Sequence, residues 1–134
     1  MPQTLSPWAI LTSDGKYPER INDAECTTDV RINAADLAER VSKLLDVLGV
    51  KAGVSSGFRT SAANRKAGGK SASHHLTGMA VDLEDHDGSL ARSILAHLDL
   101  LAQFDLYMEN PQYTVGWVHL QSAKTPSGRR VFVP

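Results

Sequence analysis

One cysteine, Cys26, stands in a chain of 134 residues. No disulfide can form within the chain, and a thiolate-rich metal site cannot be assembled. Cys26 reads as a small buried hydrophobe. No apolar run approaches the roughly 20 residues that a spanning helix needs, so stable membrane insertion is not expected. Surplus charge is missing as well, since 14 Lys and Arg face 15 Asp and Glu. A chain so balanced brings few cations to displace the counterions of a phosphate backbone, and nucleic acid is not an expected partner. Internal repeats and low-complexity tracts are absent. Met1 to Trp8 has neither the basic start nor the apolar stretch of a secretory leader. Synthesis in the cytoplasm is therefore expected, a reducing compartment that suits a lone thiol.

What is present describes an ordinary folded chain, expected as one domain over residues 1–134. Residues 1–32 carry the turn signals Asp14-Gly15 and Tyr17-Pro18 and read as an irregular arm, packed on the rest by Trp8, Ile10 and Leu11. Asn33 reads as a helix N-cap. Leu37, Val41, Leu44, Leu45 and Leu48 then mark one face of a helix, and Gly49 ends it. Residues 52–58 read as a short strand and 60–73 as a long polar loop. Met79 to Leu83 alternates as a strand does. Ser89 is expected to cap a second helix with Leu90, Ile94, Leu95, Leu98 and Leu101 on its apolar face. Residues 104–109 and 115–121 read as strands joined by a turn at Asn110-Pro111, and Val131-Phe132-Val133 closes the chain. The expected fold is α+β, a mainly antiparallel sheet with two helices.

Chemistry concentrates in Ser73-His74-His75-Leu76-Thr77-Gly78-Met79-Ala80-Val81-Asp82. The Gly-containing turn could fold a loop His back over a strand Asp. Downstream, Gly116-Trp117-Val118-His119-Leu120-Gln121 places a His inside an apolar strand, where a buried imidazole needs a partner. Two His and one Asp are a sound zinc set, with a fourth position open for water. Taken singly, each has a plainer reading. His119 reads equally as a satisfied core or surface histidine, His74 and His75 as loop residues, and Arg59 as a surface cation. Glu84, Asp85 and Asp87 read as a solvated turn, and His97 as structural.

Taken together, Ser55-Ser56-Gly57-Phe58-Arg59, Ser73-x-His75-x-x-Gly78-x-Ala80-x-Asp82 and Trp117-Val118-His119 form a pattern. Between Ser55 and His119 the sequence resembles the zinc D-Ala-D-Ala carboxypeptidases and phage L-alanyl-D-glutamate endopeptidases, whose fold is shared with the hedgehog signalling domain. The resemblance implies a single Zn²⁺ held by His75, Asp82 and His119, with Arg59 contacting substrate near the scissile bond and Ser73 supporting the site by hydrogen bonding. One departure stands out. Many members carry a catalytic carboxylate three residues before the last His, and here that position is Gly116. Glu109 is the substitute expected from phage-type relatives. Asp105 is the competitor, favoured by a hairpin centred near Gln112 that would pair residues 105 with 119 and 109 with 115.

The implied activity is hydrolysis of an amide in the peptidoglycan stem peptide, L-Ala–D-Glu first. A D-Ala-D-Ala carboxypeptidase or D,D-endopeptidase is the alternative. A catalytically inactive, zinc-containing wall-binding module is the third reading. Such an enzyme is expected to be a monomer that acts in the periplasm or wall, reached through a holin-like pore or another non-Sec route.

Overall fold

The computed structural model describes residues 4–134. In chain order the elements are α1 (Pro7–Thr12), a 3₁₀ turn (Pro18–Asn22), α2 (Thr28–Leu48), β1 (Val54–Ser56), α3 (Ser61–Lys66), a 3₁₀ turn (His74–Thr77), β2 (Ala80–Glu84), α4 (Ser89–Leu95), α5 (Asp99–Gln103), β3 (Tyr107–Glu109), a 3₁₀ turn (Pro111–Tyr113), β4 (Trp117–Gln121) and β5 (Val131–Phe132). The strands form one sheet in the order β1-β2-β4-β3-β5. All pairings are antiparallel except β3 with β5. The α+β expectation holds, with five α-helices among the described residues rather than two. No helix among the described residues is long and apolar enough to cross a membrane.

Helix α2 carries the expected apolar stripe, burying Leu37, Val41, Leu44 and Leu45. It begins earlier than Asn33. Thr27 is the N-cap, its hydroxyl accepting from the Val30 N–H, while Asn33 lies inside the helix and donates to the Thr77 carbonyl. Gly49 ends it at φ 69°, as a left-handed C-cap requires. The side chains of β2 alternate. Val81 and Leu83, with Val118, Leu120 and Met108, enter one fully buried core with α2. The other face of the sheet is left for the polar residues Asp82 and His119.

Several expectations fail locally. The arm is not irregular, because α1 is capped by the Ser6 hydroxyl and ends on a left-handed Ser13. Ile10 and Leu11 are buried as expected, but Trp8 is half exposed. The loop at 60–73 contains α3, capped by Thr60. The second helix is broken into α4 and α5, leaving Leu95 and Leu98 exposed. Ser89 is not the cap. Asp85 does that work, its two carboxylate oxygens accepting from the N–H groups of Leu90 and Ala91 at 2.9 Å each. Asp85 is buried, not a solvated turn residue. His97 sits exposed in the break between the two helices. Cys26 is free and buried as expected.

One joint ties the arm to the sheet. The Ile10 carbonyl accepts the Phe58 N–H at 2.8 Å, and Gly57 lies directly beneath it. A Cβ at Gly57 would sit 2.0 Å from that carbonyl oxygen. Gly57→Ala must therefore push backbone apart, and it is expected to destabilise by about 1–3 kcal/mol. A lower urea midpoint at unchanged slope would show it. An unchanged midpoint would mean that the joint yields freely.

Candidate active site

The register of the sheet assembles the site as a row across four strands. Ser56 stands opposite Asp82, and Asp82 opposite His119. Met108 pairs with Leu120, so the next position on β3, Glu109, falls beside His119. The turn centres two residues later than the expected Gln112, because the 3₁₀ turn at Pro111–Tyr113 takes up extra chain. Asp105 is thereby removed from the row. It is exposed, at φ 51°, and paired with Arg130 at 2.8 Å and Arg40 at 3.5 Å.

His75 reaches the row from the turn after Ser73. The Ser73 hydroxyl accepts from the His75 N–H at 3.2 Å, and the His75 carbonyl accepts from the Arg59 N–H at 3.0 Å. Gly78 closes the turn at φ 76°, with the Val30 carbonyl packed where a Cβ would stand. His75, Asp82 and His119 bring one ligand atom each to within 4.8 Å of one another. The His75 Nε2 lies 3.4 Å from Asp82 Oδ2, and His119 Nδ1 lies 2.8 Å from Asp82 Oδ1. Ligands about 2.0–2.1 Å from one zinc ion in a tetrahedron stand about 3.4 Å apart, so the His75–Asp82 spacing fits as it stands and the His119–Asp82 pair, at hydrogen-bond distance, would have to open by about half an ångström.

The ring nitrogens are compatible with such a site. His75 Nδ1–H donates to the Gly57 carbonyl at 2.8 Å, which leaves Nε2 as the lone-pair nitrogen facing Asp82. His119 is turned the other way. Its Nε2–H donates to Gln121 Oε1 at 2.9 Å, and the Gln121 amide is oriented by donating to the Ala123 carbonyl at 2.8 Å. Each histidine thus has its outer nitrogen fixed by an acceptor and its inner nitrogen directed at the cluster, the usual support of a metal ligand. Sequence reading missed Gln121 and Gly57. Gln121 lies two residues beyond His119 on the same strand face, a spacing that would have found it.

The charges interlock. Burial works to raise the Asp82 carboxyl, but hydrogen bonds and charge from His119 and His75 win and hold it well below the usual carboxylate range. Burial likewise works to lower the His119 imidazolium, and Asp82, Gln121 and Glu109 raise it above the ordinary value. Glu109 is raised by burial first and by the Asp82 charge, against the pull of His119, Lys70 and His75. Burial, with the charges of His119 and His75, lowers His74. Arg59 is anchored by Nε donating to Ser56 Oγ at 3.0 Å and Nη1 donating to Asn64 Oδ1 at 3.4 Å, and Nη2 lies 3.7 Å from Asp82 Oδ2. Gly116 lies in the turn at φ 95°, a conformation that favours glycine, and its carbonyl accepts the Asp85 N–H.

A three-ligand cluster with an arginine and a carboxylate on the same sheet face is the equipment of a metallopeptidase. A family model described as Peptidase M15 matches residues 14–120, and the chain belongs to that family of zinc-dependent peptidases. No curated protein sequence matches the chain.

Two measurements test the ligand geometry. Gln121→Leu removes the acceptor that sets the His119 tautomer, and zinc affinity is expected to fall roughly 10–100-fold with the fold intact. Unchanged affinity in a chelating-dye competition would deny Gln121 that role. Zinc bound at this cluster would also have to displace a proton that Asp82 helps His119 to hold. Because that pKa is raised, protons compete more strongly as pH falls, so affinity should begin dropping above the free imidazole value of about 6.5. A flat profile from pH 8 to 6 would contradict this.

Proposed function

We propose that the chain is a zinc-dependent murein endopeptidase, hydrolysing the L-Ala–D-Glu amide of the stem peptide, with one Zn²⁺ held by His75, Asp82 and His119. The observation that carries the reading is the row Asp82–His119–Glu109, which puts one free carboxylate beside the metal cluster. Action in the periplasm or wall follows from where that substrate lies.

Zinc, when bound, supplies a Lewis acid and water acidified to a pKa of about 7. The Glu109 carboxylate takes the proton of the attacking water and later returns it to the leaving amine nitrogen. Its raised pKa brings it nearer the operating pH and favours that return. The Arg59 guanidinium, held rigid by Ser56 and Asn64, meets the negative charge that grows on the carbonyl oxygen. Ser73 keeps the His75 turn in place through its oxygen, and its hydroxyl hydrogen is left for a substrate carbonyl.

A D-Ala-D-Ala carboxypeptidase or D,D-endopeptidase would use the same residues. An inactive wall-binding module is the reading that Gly116 favours, and Glu109 beside His119 speaks against it. Mass spectrometry of digested peptidoglycan, with a chelator control, separates the three. New N-terminal D-Glu fragments support the endopeptidase, loss of D-Ala the alternative, and wall binding without products the inactive module. Within that assay, Glu109→Gln is expected to retain zinc and lower turnover roughly 10²–10⁴-fold, whereas Asp105→Asn is expected to cut normally. The reverse pattern would move the base to Asp105.

A further inference from the structure

Beside the metal cluster, and sharing Arg59 with it, lies an open cleft of about 540 Å³. Tyr17 and Arg20 from the N-terminal segment, Ser55 and Ser56 of β1, and Lys66 of α3 line it together with Arg59. Three cations face one space. Among the described residues, neither Arg20 nor Lys66 has an ion-pair partner, and Arg59 approaches only Asp82.

Arg20 is set in place before any ligand arrives. Its Nη1 donates to the Phe58 carbonyl at 2.8 Å, and its guanidinium carbon lies 3.8 Å from the centre of the Tyr17 ring. Pro18 opens the short 3₁₀ turn that carries it. Such stacking and anchoring leave the remaining N–H groups of a planar fork free and ordered, the arrangement that grips a carboxylate at little entropic cost. Burial lowers the Arg20 pKa, and the charge of Arg59 adds to that, against the pull of Tyr17 and Glu19. An anion between the two guanidiniums relieves both costs.

Resting on the peptidase reading, we propose that this cleft is a subsite for a free carboxylate on the residue that supplies the scissile nitrogen, gripped between Arg20 and Arg59 with Lys66 at the rim. Two sources share that chemistry. One is the α-carboxylate of a glutamate linked through its γ-carboxyl, and the other is the terminal carboxylate of a D-alanine. The N-terminal arm is therefore part of the substrate site, not packing alone.

The test measures peptide binding to the metal-free protein by titration calorimetry, so that it does not depend on turnover. The first probe pair is L-Ala-γ-D-Glu-L-Lys-amide and the same peptide with its glutamate α-carboxyl amidated. The second pair is diacetyl-L-Lys-D-Ala-D-Ala and its C-terminal amide. Wild-type protein is expected to prefer the carboxylate member of one pair by about tenfold, and the pair that discriminates identifies the source. Arg20→Gln should erase the preference. Because Arg20 also holds the Phe58 carbonyl, Lys66→Glu serves as a second variant with no internal contact to lose, and it should reduce the preference at an unchanged melting temperature. In the zinc-loaded enzyme, Arg20→Gln should raise KM about tenfold while changing kcat little, as loss of a contact remote from the reacting atoms does. Equal binding of both members of both pairs, or a wild-type preference kept in both variants, overturns the subsite. A preference that survives in a protein without zinc-dependent cleavage supports the subsite and overturns the peptidase reading instead.

Discussion

Asp82 is a buried carboxylate in a middle strand of the sheet, and the site is organised around keeping it charged. Burial alone would raise its pKa. Instead His119 meets one oxygen at 2.8 Å, while His75 at 3.4 Å and Arg59 at 3.7 Å approach the other. A buried charge stripped of partners is strongly destabilising, whereas the same charge well surrounded is tolerable. Each neighbour arrives on a different element, so the surrounding fold is largely scaffolding for this one group. Strand β1 and the start of α3 fix Arg59, the turn at His74–Thr77 brings His75, and β4 brings His119. The sheet order, with β2 between β1 and β4, makes the convergence possible.

The motif residues were legible in the sequence because their chemistry is local. A His, a Gly turn and an Asp entering a strand announce themselves by residue type and spacing. Helix α2 was legible for the same reason, since its apolar stripe repeats at the helical period. The strand opposite His119 was not. Choosing between Asp105 and Glu109 required the register of β3 on β4, and that depended on how many residues the connection consumes. Asn110-Pro111 signalled a turn correctly. It did not disclose a 3₁₀ turn with Thr114 and Gly116 beyond it, which moved the centre by two residues. Moving the centre by two moves each partner by four, an even number that keeps the strand face but changes which residue stands opposite, so Glu109 took the place beside His119 that Asp105 was expected to hold.

Long-range contacts were illegible for a different reason. Nothing in Ser6 to Ser13 shows that the Ile10 carbonyl will receive the Phe58 N–H. Nothing in Glu84 to Asp87 shows that one carboxylate will turn inward to the first turn of α4. Both are backbone needs met by distant or unexpected partners, and residue type alone does not display them. The N-terminal segment looked irregular because its helix is only six residues long, too short to print a period. It holds its shape through caps and through its seat against Gly57.

That seat links the arm to the metal cluster through the backbone. Gly57 contributes its N–H to Ser13 Oγ, and its carbonyl to His75 Nδ1. One residue without a side chain therefore fixes a helix end and the tautomer of His75 together. His119 receives its tautomer from Gln121, which is in turn fixed by the Ala123 carbonyl. The outer nitrogens of both histidines are thus held by neutral acceptors, not by carboxylates. The consequence is electrostatic. Neutral acceptors set geometry without adding negative charge, so Asp82 is the one anion among the three clustered residues. On the proposed reading, a divalent cation with one carboxylate and two neutral imidazoles would leave the cluster net positive, and Arg59 would increase the excess. That field would draw an anionic substrate toward the same face.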